Sequence, residues 1–247
     1  MFLTRFRVNT ARPDGRRLLA SPQRMHAAVM SSFPELLPSS PSDRENQDGP
    51  RVLWRLDRNS PAEVLLYVVS PDRPDLTHLV EQAGWPAAAA SGSLGWKTYD
   101  YGSFLGRLDK AGIWNFRLTA NPVHSVRNRD DAPTKLTAHL NARHQLGWLL
   151  QRQEAAGFRL VQKSEERRHT ERGDEYQVVV RDQRDLNFSK REASGGGGRT
   201  GRVTLKLVTY DGRLEVTDPE ALRRVLTQGL GKAKAYGGGL MTLAPAG

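Results

Sequence analysis

The order in which strand-like and helix-like stretches alternate is the feature of this sequence that most constrains its fold. The opening stretch, FLTRFRV, alternates side chains with a period of two, which is typical of a half-buried strand. The next stretch, SPQRMHAAVMSSF, places Met25, Val29 and Phe33 on one helical stripe, with Ser21 as N-cap and Pro22 at the first helical position. The chain therefore begins with a strand that leads directly into a helix.

The following stretches complete a recurring order. The patterns of RVLWRLD and EVLLYVVS predict two strands, that of LTHLVEQA predicts a short helix, and that of IWNFRLTANP predicts another strand. The result is strand, helix, two strands, helix, strand. This is the order of a ferredoxin-like unit and also of RNA-recognition modules.

The second half of the chain repeats this order less clearly. The stretch LTAHLNARHQLGWLLQRQEAAGF predicts a long helix, RLVQKSEERRHT and EYQVVVRDQ predict strands, and GRVTLKLVTYDG predicts a strand that ends in an Asp-Gly turn. Asp218, Pro219 and Gly229 mark the ends of a further helix, and GLMTLAP follows as a strand. We therefore predict the α+β class, with two tandem ferredoxin-like domains at residues 1–121 and 122–247.

The charge of the chain favours one class of partner. Among its 247 residues, 37 Lys and Arg against 27 Asp and Glu give a formal net charge of +10. Such an imbalance favours a polyanion such as nucleic acid, because neutralising phosphates releases counterions. A basic surface that is merely solvated is the alternative.

Several classes of site are excluded or not indicated. The sequence contains no cysteine, which excludes disulfides, thiolate metal sites and a cysteine nucleophile. No metal constellation emerges, and we predict neither a metal nor a cofactor. The longest aliphatic run, VLLYVV (Val64–Val69), is too short to span a bilayer, and the start MFLTRFRVNT lacks a signal-peptide core. We expect a soluble, cytoplasmic protein with no membrane partner.

A glycine-rich segment, GLGKAKAYGGGL (Gly229–Leu240, below the glycine loop), contains five glycines together with Lys232 and Lys234. Glycine reaches positive φ and lets a ligand approach the backbone closely, so the loop favours an anion. It matches neither a P-loop nor a dinucleotide fingerprint, because it follows a helix and opens a strand. A helix-to-strand turn packed against a neighbouring domain is the alternative.

Basic residues cluster in two places. The first 24 residues contain six arginines and one acid, and residues 184–206 contain six basic residues and two acids. Runs of this kind are usually solvated faces. Their presence in both predicted domains, with further lysines in the glycine loop, favours a cleft with basic walls.

The histidines differ in their sequence context. His26 lies early on the first predicted helix, beside the N-terminal arginines, and is the candidate for chemistry. His139 and His144 lie about 140° apart around a helix, so they cannot share a metal on one face. We predict surface or structural roles for the histidines without a local partner, which are His78, His124 and His169.

Several stretches resemble the CasE family, the CRISPR-associated endoribonucleases that mature guide RNA in type I-E Cascade systems. The resemblance lies in GRVTLKLVTYDGRLEVTDPEALRRVLTQGLGKAKAYGGGLMTLAP, in FRLTANP (Phe116–Pro122), in QLGWLL (Gln145–Leu150), and in an N-terminal strand followed by a Pro-x-x-x-His helix start. It covers almost the whole chain in order. The glycine loop followed by LMTLAP is its most specific part.

This resemblance implies two ferredoxin-like domains and metal-independent cleavage of a repeat RNA on the 3′ side of a stem-loop. A ribose 2′-OH attacks the adjacent phosphate and leaves a cyclic phosphate and a 5′-OH end. The implied partners are the CRISPR repeat stem-loop, the mature guide RNA, which stays bound, and the other Cascade subunits.

The resemblance also assigns residues. His26 falls on the family's catalytic histidine, and we predict that it is the general acid. Lys232 and Lys234 are predicted to hold the phosphate or to stabilise its developing charge. The predicted RNA-binding residues are Arg24, Arg184, Lys190, Arg191, Arg199, Arg202, Gly229, Gly231, Gly237 and Gly239.

One position departs from the family. Well-known members carry a tyrosine three residues before the histidine, where this chain has Gln23. Glutamine can orient a 2′-OH but cannot act as a base, and loss of a base costs about 10²–10⁴ in rate. An endonuclease that is slow or uses another base, and a scaffold subunit that binds the RNA hairpin without cutting it, both remain open. A DNA-binding protein of unrelated function is a third alternative.

Overall fold

A computed structural model describes residues 1–33, 51–86, 92–126, 135–170, 173–190 and 201–246. The strands are β1 Phe2–Val8, β2 Leu53–Ser60, β3 Glu63–Ser70, β4 Trp96–Asp100, β5 Ile113–Ala120, β6 Val123–Val126, β7 Lys135–Ala138, β8 Phe158–Leu160, β9 Val178–Lys190, β10 Gly201–Val216 and β11 Met241–Pro245. The α-helices are α1 Pro13–Ala20, α2 Pro22–Met30, α3 Thr77–Ala83, α4 Tyr101–Leu105, α5 Ala142–Leu150 and α6 Pro219–Gln228. Short 3-10 turns lie at Glu165–Arg167 and Lys234–Tyr236.

The N-terminal sheet has the strand order β2-β3-β1-β4, and its neighbouring strands are antiparallel. Phe6 and Val8 on β1 share a buried core with Met25 and Val29 on α2 and with Leu79 on α3. The apolar stripe of α2 is therefore the face that covers the sheet, as its spacing predicts. The order of strands and helices is that of a ferredoxin-like domain, which confirms the predicted fold class.

The second sheet has the order β11-β5-β10-β8, with β9 also paired to β10. Trp148 and Leu149 on α5 and Leu222 and Leu226 on α6 pack in its core, together with Phe116 on β5. The order of elements is again that of a ferredoxin-like domain, with a strand, a helix, paired strands, a helix and a strand. Leu53 and Val69 of the first sheet belong to this second core, so the two sheets share a continuous apolar contact.

The strand Ile113–Ala120 is the first correction to the sequence analysis. The sequence pattern predicts that this stretch is the last strand of the N-terminal domain. In the structure it is β5, which pairs with β10 and β11 in the second sheet. The fourth strand of the first sheet is β4, which pairs with β1 and ends at Asp100. A boundary between residues 121 and 122 therefore places one strand in the wrong sheet, because an alternating stretch does not specify its partner.

Two predicted local features are also wrong. The long helix ending at Gly157 is shorter, because its first part forms β7 and the helix proper is α5, capped by the Asn141 side chain. The Asp-Gly turn is absent, since β10 continues through Asp211 and Gly212. Asp211 is held there by ion pairs to Arg117 and Arg181. A Cβ at Gly212 would lie 2.4 Å from a carbonyl oxygen on the neighbouring segment, so the glycine serves close packing.

A buried ionic network joins the two sheets. Arg55 on β2 is 1% exposed and pairs with Asp57 through Nε at 2.6 Å and Nη2 at 3.0 Å. Its Nη1 donates to the carbonyl oxygens of Arg117 on β5, at 2.8 Å, and of Leu240, at 3.1 Å, while Nη2 donates to Thr242 on β11 at 2.8 Å. This guanidinium thus fixes β2 to the end of the glycine loop.

None of the helices in the described parts of the chain has the length and apolar character that crossing a bilayer requires.

Candidate active site

His26 is presented by a well-capped helix. The Ser21 side chain accepts a hydrogen bond from the Arg24 amide at 3.3 Å, and Pro22 occupies the first turn of α2. Met25 and Val29 are 1% and 0% exposed and fix the rotation of the helix against the sheet. His26 is consequently held half-buried at the edge of this contact.

The His26 ring has a defined hydrogen-bond partner. Trp54 on β2, which is 2% exposed, donates from its indole Nε1 to Nδ1 of His26 at 3.4 Å. Because indole nitrogen is a donor only, Nδ1 must be unprotonated and the neutral ring carries its proton on Nε2. Burial lowers the pKa of His26 from its ordinary value, which agrees with a neutral ring. In the free protein, Nε2 is therefore the nitrogen of the His26 ring that can donate a hydrogen bond.

We predict that Trp54→Phe raises the pKa of His26. The substitution keeps an aromatic ring but removes the indole N–H, and that N–H stabilises the neutral form of the imidazole. A pH titration of the His26 ring signals by NMR measures the change, with Trp96→Phe as the matched control. An unchanged or lower pKa in Trp54→Phe would show that the indole N–H does not stabilise the neutral form of His26.

The glycine loop reaches the same place from the other end of the chain. Its 3-10 turn, Lys234–Tyr236, packs against α2 and β2. Gly237 has a φ of 81° and lies on the Trp54 ring, where a Cβ would be 2.7 Å from a ring carbon. Trp54 thus contacts both the candidate histidine and the loop, and a side chain at Gly237 would force them apart.

The two lysines of the loop lie in different surroundings. Lys234 is half-buried in the turn that packs on α2, and burial followed by the charge of Arg51 lowers its pKa. Lys232 is exposed, and its backbone forms a bridge to Asn121 beside a separate cleft that contains His124 and His139. The loop therefore brings Lys234 to the helix of His26, and it brings Lys232 to the second cleft.

The remaining predicted residues of α2 lie on different faces. Gln23, which is half-buried, accepts a hydrogen bond at Oε1 from the Ser21 hydroxyl at 3.2 Å, one turn before His26. Arg24 is exposed beside Asp14 and Arg17. Two residues correspond to about 200° of helix rotation, so Arg24 faces away from the side that carries His26.

The long hairpin of β9 and β10 reaches the site through an aromatic contact. The ring of Phe188 lies 4.7 Å from the ring of Tyr236, centroid to centroid. Arg184 forms an ion pair with Asp182 at 3.4 Å. Arg184 and Arg58 line the same depression, and Pro22 and Gly237 also line it. Burial and then the charge of Arg184 lower the pKa of Arg58, and Asp182 opposes this shift, so the two guanidinium groups share the depression with a carboxylate nearby.

The other predicted RNA-binding residues are only partly described. Lys190 and Arg202 lie at the far end of the hairpin, on β9 and β10, while Arg191 and Arg199 lie outside the described residues. The predicted glycines have positive φ and approach protein atoms. A Cβ would be 3.0 Å from the Leu53 side chain at Gly229, 2.9 Å from the Trp148 ring at Gly231 and 3.2 Å from the Leu230 carbonyl oxygen at Gly239. Close packing accounts for these glycines.

Four residues that the fold brings to this site are not indicated by the sequence pattern, namely Trp54, Arg58, Phe188 and Tyr236. Each lies on a strand or turn whose neighbours are distant in sequence, so no local spacing indicates the contact. The alternation of β2 was the available signal for a buried Trp54. Within the described residues, no group of three His, Asp or Glu side chains is arranged to hold a metal ion.

The fold and the site together define a class of protein. They describe a basic protein of two ferredoxin-like domains, with a half-buried histidine against a glycine loop and two guanidinium groups close by. The model of the CRISPR associated protein family matches residues 1–245. The chain belongs to this family.

The relatives agree with this assignment. The CRISPR-associated endoribonuclease Cse3 of Thermus thermophilus is 30% identical, with 99% of this chain and 100% of that protein covered. A structure of Cse3 bound to a 19-nucleotide RNA has a TM-score of 0.70 at 28% identity, covering 99% of this chain and 100% of that one. The structure of Thermus thermophilus Cse3 bound to an RNA representing a pre-cleavage complex has a TM-score of 0.67 at 28% identity, with coverage of 99% and 98%.

Proposed function

We propose that this chain is a metal-independent endoribonuclease. It cleaves CRISPR precursor RNA next to a repeat stem-loop and keeps the mature guide RNA as a subunit of Cascade. The observation that carries the proposal is the position of His26, which is half-buried against Trp54 and the glycine loop. The RNA-bound relatives support the substrate class. Because the substrate is a transcript, we place the reaction in the cytoplasm.

The reaction is an in-line displacement at phosphorus. The 2′-oxygen forms a bond to the adjacent phosphorus atom as the bond from phosphorus to the 5′-oxygen breaks. The 2′-OH loses its proton and the departing 5′-oxygen gains one, which leaves a 2′,3′-cyclic phosphate and a 5′-OH. The protein must therefore orient the ribose, stabilise the phosphate charge and supply a proton.

His26 is suited to the last of these tasks. Its Nδ1 accepts from Trp54, so Nε2 is the nitrogen that presents a hydrogen to the reacting group. In the free protein burial lowers the pKa of the ring. A bound phosphate brings negative charge that favours the imidazolium, the form that a general acid requires, and Nδ1 then gains a proton in place of the hydrogen bond from Trp54. The same hydrogen bond opposes the tautomer in which Nε2 would act as a base.

Lys234, Arg58 and Arg184 supply positive charge beside α2, the helix that carries His26. Lys234 belongs to the turn that packs on α2, and both arginines line the depression that contains Pro22. An ammonium group and two guanidinium groups stabilise a phosphate whose charge rises during the displacement. Lys232 lies beside the second cleft and binds RNA outside the cleavage site.

Gln23 favours a second candidate function. Its amide can donate to a 2′-OH and orient it, yet it cannot remove the proton. A protein that binds the hairpin as a scaffold subunit of the same complex, with little or no cleavage, fits this position as well. In that case the fold and the basic surface would be retained for RNA binding alone.

Cleavage in the presence of EDTA tests the proposal. The purified protein is incubated with the CRISPR repeat RNA encoded beside its gene, and the ends of the products are mapped. We expect one cut next to the stem-loop, a cyclic phosphate on the upstream fragment and a 5′-OH on the downstream fragment. Cleavage that requires an added divalent metal would overturn the mechanism, and tight hairpin binding with no product after long incubation would establish the scaffold function.

A further inference from the structure

A second cleft adjoins the glycine loop at Lys232, and the cleavage step proposed above does not use it. It has a volume of about 570 Å³ and is lined by side chains from β6, α5, the glycine loop and the segments next to them. This volume lies within the range of about 300–1,000 Å³ that is common for small-ligand sites. The residues that carry the argument are Asn121, His124, His139, Trp148, Arg152 and Lys232, and we call this site the histidine cleft.

Two buried polar atoms of the cleft have no partner. Trp148 and Asn121 are 2% and 4% exposed. Among the described residues, the indole Nε1 of Trp148 and the side-chain Oδ1 of Asn121 make no hydrogen bond. Buried donors and acceptors are nearly always paired in folded proteins. An unpaired donor and an unpaired acceptor, both buried in residues that line one cleft, favour a ligand that carries both kinds of group, as a nucleobase edge does.

The cleft also contains a ring surface. The rings of His124 and His139 stack with centroids 4.4 Å apart and planes inclined by 25°, and the ring of His144 lies 5.9 Å from that of His139. Burial, followed by the charges of His124, His144 and Arg152, lowers the pKa of His139. A neutral imidazole presents a flat aromatic face at neutral pH, which is the kind of surface on which unpaired bases stack.

The charge of the cleft is positive. Lys232 is exposed, and the guanidinium of Arg152 lies over the Trp148 ring at 4.3 Å from its centroid. None of the described residues that line the cleft is acidic. A phosphate group is therefore the complementary anion, and it would lie beside the ring surface.

The position of the loop relates this cleft to the RNA. Lys232 and Lys234 are two residues apart, so their Cα atoms are separated by at most about 7 Å. Lys234 lies in the turn that packs on the helix of His26, whereas Lys232 faces the histidine cleft. A strand of RNA that leaves the first site along the loop arrives at the second.

From these contacts we infer that the histidine cleft binds one unpaired nucleotide of the RNA next to the cut. The base lies against the rings of His124 and His139, with Asn121 and Trp148 at its edge, and the phosphate lies at Lys232 and Arg152. The inference rests on the proposed function, because it names a further subsite for the same RNA.

Binding of three RNAs separates this inference from the proposed function. Each RNA carries a 2′-deoxyribose at the cut, so that it stays intact, and the set comprises the bare hairpin, the hairpin with unpaired nucleotides on its 5′ side and the hairpin with unpaired nucleotides on its 3′ side. We expect one of the two flanks to increase the affinity of the wild-type protein by about 5-fold to 150-fold, the effect of stacking one base. The double variant His124→Ala/His139→Ala should lose this gain and bind the bare hairpin as the wild type does.

His169→Ala is the matched control, because His169 is exposed on a separate loop. Thermal unfolding of each variant verifies that the fold is retained. Equal binding of bare and flanked hairpins by the wild type, or a gain that persists in the double variant, would overturn the inference alone. Failure of the wild type to bind any of the three RNAs would overturn the proposed function together with it.

Discussion

Replacement of His26 by alanine is expected to leave RNA binding intact and to lower the rate constant of cleavage by about 10²–10⁴. The imidazole is half-buried, and Trp54 donates to its Nδ1, which leaves Nε2 as the nitrogen that serves the reaction in the mechanism we propose. Alanine removes the proposed proton donor for the 5′-oxygen but none of the positively charged side chains that we propose to stabilise the phosphate. The residual rate then reflects positioning and electrostatic stabilisation by groups such as Lys234.

Single-turnover cleavage with enzyme in excess measures this rate constant, because a product that stays bound prevents multiple turnovers. Affinity is measured separately on RNA with a 2′-deoxyribose upstream of the cut, which we expect the wild type to bind and not to cleave. His169→Ala serves as the control. A His26→Ala protein that cleaves at the wild-type rate, or one that loses affinity instead of rate, would contradict the assigned role.

Replacement of Asp57 by alanine is expected to lower the free energy of unfolding by about 3–5 kcal/mol. Asp57 accepts two hydrogen bonds from Arg55 and one from Arg117 at 3.2 Å. The Arg55 side chain is 1% exposed, so water cannot replace the hydrogen bonds that Asp57 accepts from it. Without the carboxylate, an unpaired charge remains buried between the two sheets.

Urea denaturation measures this loss, and the chain offers a matched control. Asp14 pairs with Arg17 at 2.8 Å, but the two side chains are 54% and 67% exposed. Asp14→Ala should therefore change the free energy of unfolding by no more than about 1 kcal/mol. A loss of the same small size in Asp57→Ala would mean that the buried network does not stabilise the contact between the sheets.

The two predictions are connected by strand β2. Trp54 and Arg55 are neighbours on this strand, with the indole turned to His26 and the guanidinium turned to the second sheet. Arg55 also donates to the carbonyl oxygen of Leu240, the last residue of the glycine loop. The network that stabilises the sheet contact thus also sets the distance between the helix of His26 and the loop of Lys234.

Much of the fold could be predicted from local pattern. The stripe of Met25, Val29 and Phe33 is buried as expected, with 1%, 0% and 4% of each residue exposed. Asp218 accepts hydrogen bonds from the amides at the start of α6, and Gly229 follows the end of this helix with a φ of 79°. These features depend on neighbours within one helical turn, so the sequence contains the whole of their cause.

The failures have a common physical cause. The stretch Ile113–Ala120 alternates as a strand in either sheet, and its hydrogen bonds to β10 and β11 decide which one it joins. The Asp211–Gly212 pair is a turn signal by itself, but ion pairs from Arg117 and Arg181 stabilise it inside a long strand. In both cases contacts between residues far apart in the chain, such as Arg117 with Asp211 and Trp114 with Pro245, outweigh local preference.

The sequence by itself determined the α+β class, the repeated order of elements, the histidine on a helix near the N-terminus and the basic glycine loop. The tertiary structure decided which residues lie in contact with each of these features. It placed Trp54 against His26, separated Lys234 from Lys232, and brought His124 and His139 together beside Trp148. The reason is that periodicity and capping act within a few residues, whereas a site is formed by strand pairing and packing between residues that are far apart in the chain.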